Sequence, residues 1–129
     1  MTYVVDTHAL VWFLEQNRRL GPRARAALSE QDADKVIPTI ALAEIAYLYD
    51  RKRVRISVPA VLAHVARAPR CTIYSLDETV VERMPTGLNI HDALIVATAL
   101  VFRDVLGRKT AAVTRDAEIT ASGLIDVVW

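Results

Sequence analysis

Residues 1–14 read M-T-Y-V-V-D-T-H-A-L-V-W-F-L, a strand-like apolar run closed by Asp6 and followed at once by an apolar segment of helical character. An ionised carboxylate at the end of a buried strand is costly in a dry interior, so Asp6 has to cap a helix, pair with a cation or form one wall of a metal site. The run that Asp6 closes is continuous in its hydrophobicity, where a half-buried strand would alternate. Continuous runs belong to strands covered on both faces, as in a parallel sheet between two layers of helices.

Other short runs rich in Val, Ile and Thr share this character. They lie at Val36–Pro38, Thr72–Ser75 and Ala111–Thr114, with a fifth at Asp126–Trp129. Helical pattern fills the intervals: His8–Gln16, Arg23–Ser29, Ile40–Asp50, Pro59–Ala66, Glu78–Met84, Ile90–Leu106 and a short segment after Asp116. Pro22 and Pro59 suit first helical turns and Gly107 a helix terminus. Strands alternating with helices give an α/β class with a central parallel sheet of about five strands. No repeat or linker divides the chain, so one domain is expected over residues 1–129.

The totals exclude several other classes. With 53% hydrophobic and 24% charged residues, four glycines and five prolines, the chain is neither disordered nor fibrous. Its longest apolar stretch, Ala93–Phe102, is about half of what a bilayer core requires. The N-terminal segment has no basic region and is interrupted by Asp6 and His8, which argues against a secretory signal. A lone cysteine, Cys71, allows no internal disulfide, and a reducing cytoplasm is the expected location. The net charge of +1 carries no message about partners. Two basic groups, Arg18, Arg19, Arg23 and Arg25, and Arg51, Lys52, Arg53 and Arg55, read as solvated faces beside helix ends.

In open parallel sheets ligands gather beyond the carboxyl ends of the strands. Four acids are placed there: Asp6 after the first strand, Glu44 one turn into the helix after the second, Asp92 in the first turn of a later helix, and Asp116 just beyond the fourth strand. Each has an ordinary structural reading. Asp6 and Asp116 are good N-caps, and Asp92, three residues after Asn89, completes a capping box. Glu44 sits among Ile40, Ala41, Tyr47 and Leu48 on an apolar stripe, where it needs a partner.

Taken together the acids point further. Two carboxylates about 4 Å apart repel by about 4 kcal/mol at an effective dielectric near 20, and a cluster of four needs a cation. No Cys or His stands at zinc-like spacing, and oxygen donors suit hard ions, so Mg²⁺ or Mn²⁺ is expected. His8 and His91 neighbour Asp6 and Asp92 in sequence, but adjacent helical positions point about 100° apart, and packing or surface roles are expected for both. His64 reads as structural and Cys71 as a small buried hydrophobe.

Four motifs, V-V-D-T-H-A-L-V-W at residues 4–12, P-T-I-A-L-A-E-I-A at 38–46, H-D-A-L-I-V-A-T-A-L at 91–100 and A-V-T-R-D-A-E-I at 112–119, recur in this order in a known family. From Tyr3 onward the chain resembles a PIN domain, and in size and motif style the VapC-type ribonuclease toxins of toxin–antitoxin pairs. The resemblance implies a three-layer α/β/α sandwich and an acidic quartet at Asp6, Glu44, Asp92 and Asp116, with accessory hydroxyls at Thr7 and Thr114. It implies metal-dependent hydrolysis of RNA phosphodiesters by one or two Mg²⁺ or Mn²⁺ ions, with Asp6 and Asp92 as chief ligands. Glu44 and Asp116 would then ligate directly or through water, and Thr114 would orient substrate or water. Structured RNA such as tRNA or ribosomal RNA, a homodimer and a VapB-type antitoxin are the implied partners. Two rival readings are a PIN-like domain that binds RNA or protein without cutting, and a phospho-accepting receiver domain. The receiver reading lacks the adjacent acidic pair and the lysine such domains carry.

Overall fold

The computed structural model describes residues 1–129. Five strands, β1 (Thr2–Val5), β2 (Asp34–Pro38), β3 (Cys71–Tyr74), β4 (Thr110–Val113) and β5 (Asp126–Val128), form one parallel sheet in the order β3-β2-β1-β4-β5. The helices between them are α1 (Thr7–Leu14), α2 (Pro22–Ser29), α3 (Thr39–Asp50), α4 (Val58–Arg67), α5 (Glu78–Glu82), α6 (Ile90–Leu100) and α7 (Ala117–Ser122). Every expected strand is present, each within two residues of its expected bounds.

The register explains the unbroken apolar runs. Val4 faces Val36 on one side and Ala112 on the other, and Val5 pairs with Val113. Because side chains alternate across a strand, Val4, Val36 and Ala112 pack with Val96, Phe102 and Ile119 on one face. Val5, Ile37 and Val113 pack with Ala9, Leu10, Ala24, Ala41 and Val61 on the other. Helices α1 to α4 therefore cover one face and α5 to α7 the other, a three-layer sandwich.

Helix α6 is the central rod expected from its sequence, with every residue from Asp92 to Ala99 buried. The helical segment stops at Leu106 as expected, but over Val101–Val105 it widens into a π-helical turn. Gly107 follows at φ 67°, a backbone setting suited to glycine. Pro22 opens α2 and Pro59 lies in the first turn of α4. No helix is long and apolar enough to cross a membrane.

Consecutive crossovers build outward from β1 through β2 to β3, and the chain then returns to lay β4 and β5 on the other side of β1. The order of connection reverses between β1 and β4. Parallel sheets open a crevice at such a reversal, at the carboxyl ends of the two strands. Those ends are Val5 and Val113, and the residues that follow them are Asp6 and Thr114.

Candidate active site

Asp6 follows β1 and caps α1, accepting the Thr7 N–H at 2.7 Å. Its second oxygen accepts the Thr114 hydroxyl at 2.6 Å, which bridges the crevice between β1 and β4. The same Thr114 oxygen accepts the Asp116 N–H at 3.0 Å. Asp116 in turn caps α7, accepting the Ile119 N–H at 2.9 Å. The ordinary capping roles of Asp6 and Asp116 are thus realised, and they aim both carboxylates at one crevice.

Glu44 reaches the crevice from α3. It stands at the margin of that helix's buried face, beside buried Ala41 and Ile45, whereas Tyr47 of the expected stripe is 55% exposed. Its carboxylate accepts the Thr7 hydroxyl at 3.0 Å. Asp92 is 6% exposed in the first turn of α6 and exchanges two hydrogen bonds with Asn89, N–H to Oδ1 at 2.9 Å and Asn89 Nδ2 to Oδ2 at 2.7 Å. The forward half of the expected capping box is formed, while the return bond comes from the Asn89 side chain and not from its backbone N–H.

His91 corrects the sequence reading. Its Nε2 lies 2.5 Å from Glu44 Oε2, 3.7 Å from Asp6 Oδ1 and 3.3 Å from the Thr7 hydroxyl. It is therefore a bridge between two acids from other elements, whatever its angle to Asp92 on its own helix. Adjacent positions diverge on one helix, but acids from β1/α1 and α3 can still converge on the same imidazole. The motif H-D in a first helical turn was the available signal. His8 is exposed as expected, with its ring 5.5 Å from Trp12, but it lines the same cleft as Asp6 and Glu44. His64 and Cys71 sit outside the crevice on the wall of a separate apolar pocket, and burial pushes the Cys71 thiol up.

The electrostatics follow from these contacts. Burial opposes a charge on His91, but the carboxylates of Asp6 and Glu44 push it up to about 10. Burial likewise works against Asp6, yet His91, Thr114 and the Thr7 N–H hold its carboxyl below the usual range. His91 lowers Glu44 despite its partial burial. Asp92 shifts the opposite way, raised by burial and then by the negative charges of Asp116 and Asp6. Asp6 and Glu44 are thus paired with His91, whereas for Asp92 burial and the neighbouring acids outweigh the charge of His91.

Asp6, Glu44, Thr114 and Asp116 open onto one cleft of about 750 Å³. Asp92 lies outside its lining, buried beside it and sensing Asp6 and Asp116 through their charge. As the side chains stand, no three His, Cys, Asp or Glu residues are grouped closely enough to hold a metal ion. Acceptor oxygens of Asp6 and Glu44 are engaged by His91, Thr7 and Thr114. The donor chemistry nevertheless suits a hard divalent cation, since carboxylates flanked by hydroxyls, without a thiolate, are what Mg²⁺ and Mn²⁺ prefer.

The PIN domain family model matches residues 3–121. The chain belongs to the PIN domain family. The fold of this PIN domain is also that of a chain in the crystal structure of VapBC2 from Rickettsia felis bound to a DNA fragment from their promoter. The two align with a TM-score of 0.63 at 14% identity, covering 98% of this chain and 97% of that one. No curated protein matches this PIN domain significantly over its sequence.

Proposed function

We propose that this PIN domain is a metal-dependent endoribonuclease that hydrolyses RNA phosphodiester bonds and serves as the toxin of a VapBC-type toxin–antitoxin pair. The observation that carries the reading is the meeting of Asp6, Glu44, Thr114 and Asp116 on one cleft at the β1/β4 reversal, with Asp92 buried alongside. In this reading residues 1–129 act as one nuclease domain. A homodimer and a VapB-type antitoxin are its protein partners, and the VapBC2 complex that shares its fold supports that pairing.

Asp6 and Asp92 are the principal holders of Mg²⁺ or Mn²⁺, with Glu44 and Asp116 contributing directly or through water. When bound, the ion offsets carboxylate repulsion, polarises a scissile phosphate and lowers the pKa of a water. Thr114 keeps the Asp6 carboxylate turned into the cleft and fixes the backbone of Asp116. Thr7 steadies Glu44 from the first turn of α1. Hydrolysis needs no covalent enzyme intermediate, and the cleft contains no Ser or Cys nucleophile beside an oriented base.

The test is direct. Purified, antitoxin-free protein should cleave RNA in Mg²⁺ or Mn²⁺, and Asp6→Asn and Asp92→Asn should each lower the rate at least about 100-fold while circular dichroism stays unchanged. Growth arrest on expression, relieved by the product of a small neighbouring reading frame, tests the toxin role. Calorimetry showing no uptake of either ion by folded protein would overturn the assignment.

A further inference from the structure

The cleft also carries cationic side chains. Besides the acids, Arg19, Arg53 and Arg115 line it, around a floor that includes Trp12. They arrive from three separate connections: Arg19 between α1 and α2, Arg53 between α3 and α4, Arg115 between β4 and α7. All three are exposed, and none makes an ion pair. Elsewhere Arg70 and Arg108 pair with Asp34, and Arg83 and Arg103 with Asp104. Three guanidinium groups without an ion-pair partner line this one cavity, which Glu15 lines as well, and their free N–H groups can receive an anion.

Two of the three guanidinium groups rest against one aromatic ring, and the backbone that carries the third is hydrogen-bonded in place. The Arg115 guanidinium lies 4.5 Å from the Trp12 ring centroid and that of Arg19 5.9 Å from it, so the buried indole supports both. The Arg19 backbone is fixed by Asn17, whose side chain accepts its N–H at 2.9 Å and whose carbonyl accepts Arg25 Nη2 at 3.0 Å. The Arg53 N–H is bonded to the Leu48 carbonyl at 2.9 Å. Glu15 then ties this loop to the end of α1 by accepting the Arg55 N–H at 3.0 Å. Arg115 sits between Thr114 and Asp116, whose backbone geometry is set by the acidic site itself. Groups ordered beforehand lose little entropy when a ligand arrives.

We infer that Arg19, Arg53 and Arg115 form a phosphate-binding subsite for the RNA strand, flanking the scissile position. The inference rests on the nuclease reading above and names residues that hold its substrate. The acids cannot hold a polyanion by themselves, because the carboxylates of Asp6, Glu44 and Asp116 in the cleft repel the phosphates they are to cut. Binding energy must come from phosphates further along the strand, where planar guanidinium groups engage them with paired hydrogen bonds. An RNA backbone carries one charge per nucleotide and so meets both the acids and the arginines of the one cleft.

The test measures affinity apart from chemistry. A fluorescein-labelled single-stranded RNA is titrated by anisotropy against the chain carrying Asp6→Asn, so that nothing is cut. Arg19→Gln, Arg53→Gln and Arg115→Gln are added singly and together, with Arg67→Gln on α4 as a control outside the cleft. Each cleft substitution should weaken binding roughly three- to tenfold and reduce the slope of log affinity against log salt by about 0.7. In the otherwise native chain the same substitutions should raise KM and leave kcat within about twofold, and lysine replacements should restore part of the affinity. Unchanged RNA affinity in the folded triple variant overturns the subsite. So does unchanged RNA affinity with lost binding of a poly-glutamate peptide, which would assign the arginines to an acidic protein. A native chain that cuts RNA while the triple variant keeps its affinity refutes the subsite alone, whereas a native chain that cuts nothing refutes the nuclease reading.

Discussion

The Thr114 hydroxyl donates a 2.6 Å hydrogen bond to Asp6 Oδ2, joining residues 108 positions apart across the reversal between β1 and β4. Thr114 is 1% exposed, and its oxygen also accepts the Asp116 N–H. Thr114→Val should therefore leave a buried acceptor and a donor without partners, destabilising the fold by about 1–3 kcal/mol. Thr114→Ser should recover most of the loss. Urea unfolding of the two variants checks this, and equal destabilisation by both would remove the hydroxyl from the account.

His91 stands between Asp6 and Glu44 and carries a pKa pushed up to about 10. Its folded value lies above the ordinary value of 6.5, so the folded state binds the proton more tightly. The resulting stability is fully present below pH 6.5 and is lost as pH rises through 10. Urea midpoints of metal-free protein should fall over this window, and the decline should flatten in His91→Gln. A parallel decline in both proteins would assign the effect elsewhere.

Asp92 meets the opposite balance, raised by burial and by the charges of Asp116 and Asp6. Asp92→Asn removes that repulsion but also weakens a favourable charge near the α6 N-terminus, a contribution of about 0.3–1 kcal/mol. Stability should consequently change by less than about 1 kcal/mol, while metal-dependent RNA cleavage falls at least about 100-fold. Paired unfolding and rate measurements check the separation, and a large loss of stability would make Asp92 a structural residue first.

Gly21 has an ordinary backbone, φ −61° and ψ 152°, so its small size is needed for space alone. A Cβ there would lie 2.6 Å from the Trp129 carbonyl carbon and 2.7 Å from its ring. Gly21→Ala should cost about 1–3 kcal/mol by overpacking. Because it disturbs the loop that presents Arg19, it should also weaken RNA binding. Thermal unfolding together with anisotropy checks both effects, and a neutral outcome would show that the C-terminal residue simply moves aside.

The strands were legible because burial on both faces writes itself into composition. Val4-Val5, Val36-Ile37 and Ala111-Ala112-Val113 are apolar at every position, since each face meets its own layer of helices. The widened turn at Val101–Val105 was not legible, because V-F-R-D-V has the same apolar spacing in either helical form. Arg19 and Arg53 were visible only as members of charge groups, and Arg115 only as a letter inside a motif. Their separation from Arg51, which lies over the Tyr47 ring at 3.6 Å, depends on which loop faces the cleft.

Local sequence by itself determined the order of strands and helices, their caps and the side of the sheet on which the acids emerge. These depend on neighbours within a few residues and on the period of apolar side chains. Tertiary structure alone decided that β4 lies beside β1, that Thr114 therefore grips Asp6, and that His91 comes to rest between Asp6 and Glu44. Such partners are chosen by chain crossovers and electrostatic pairing over long separations, for which no local pattern carries a record.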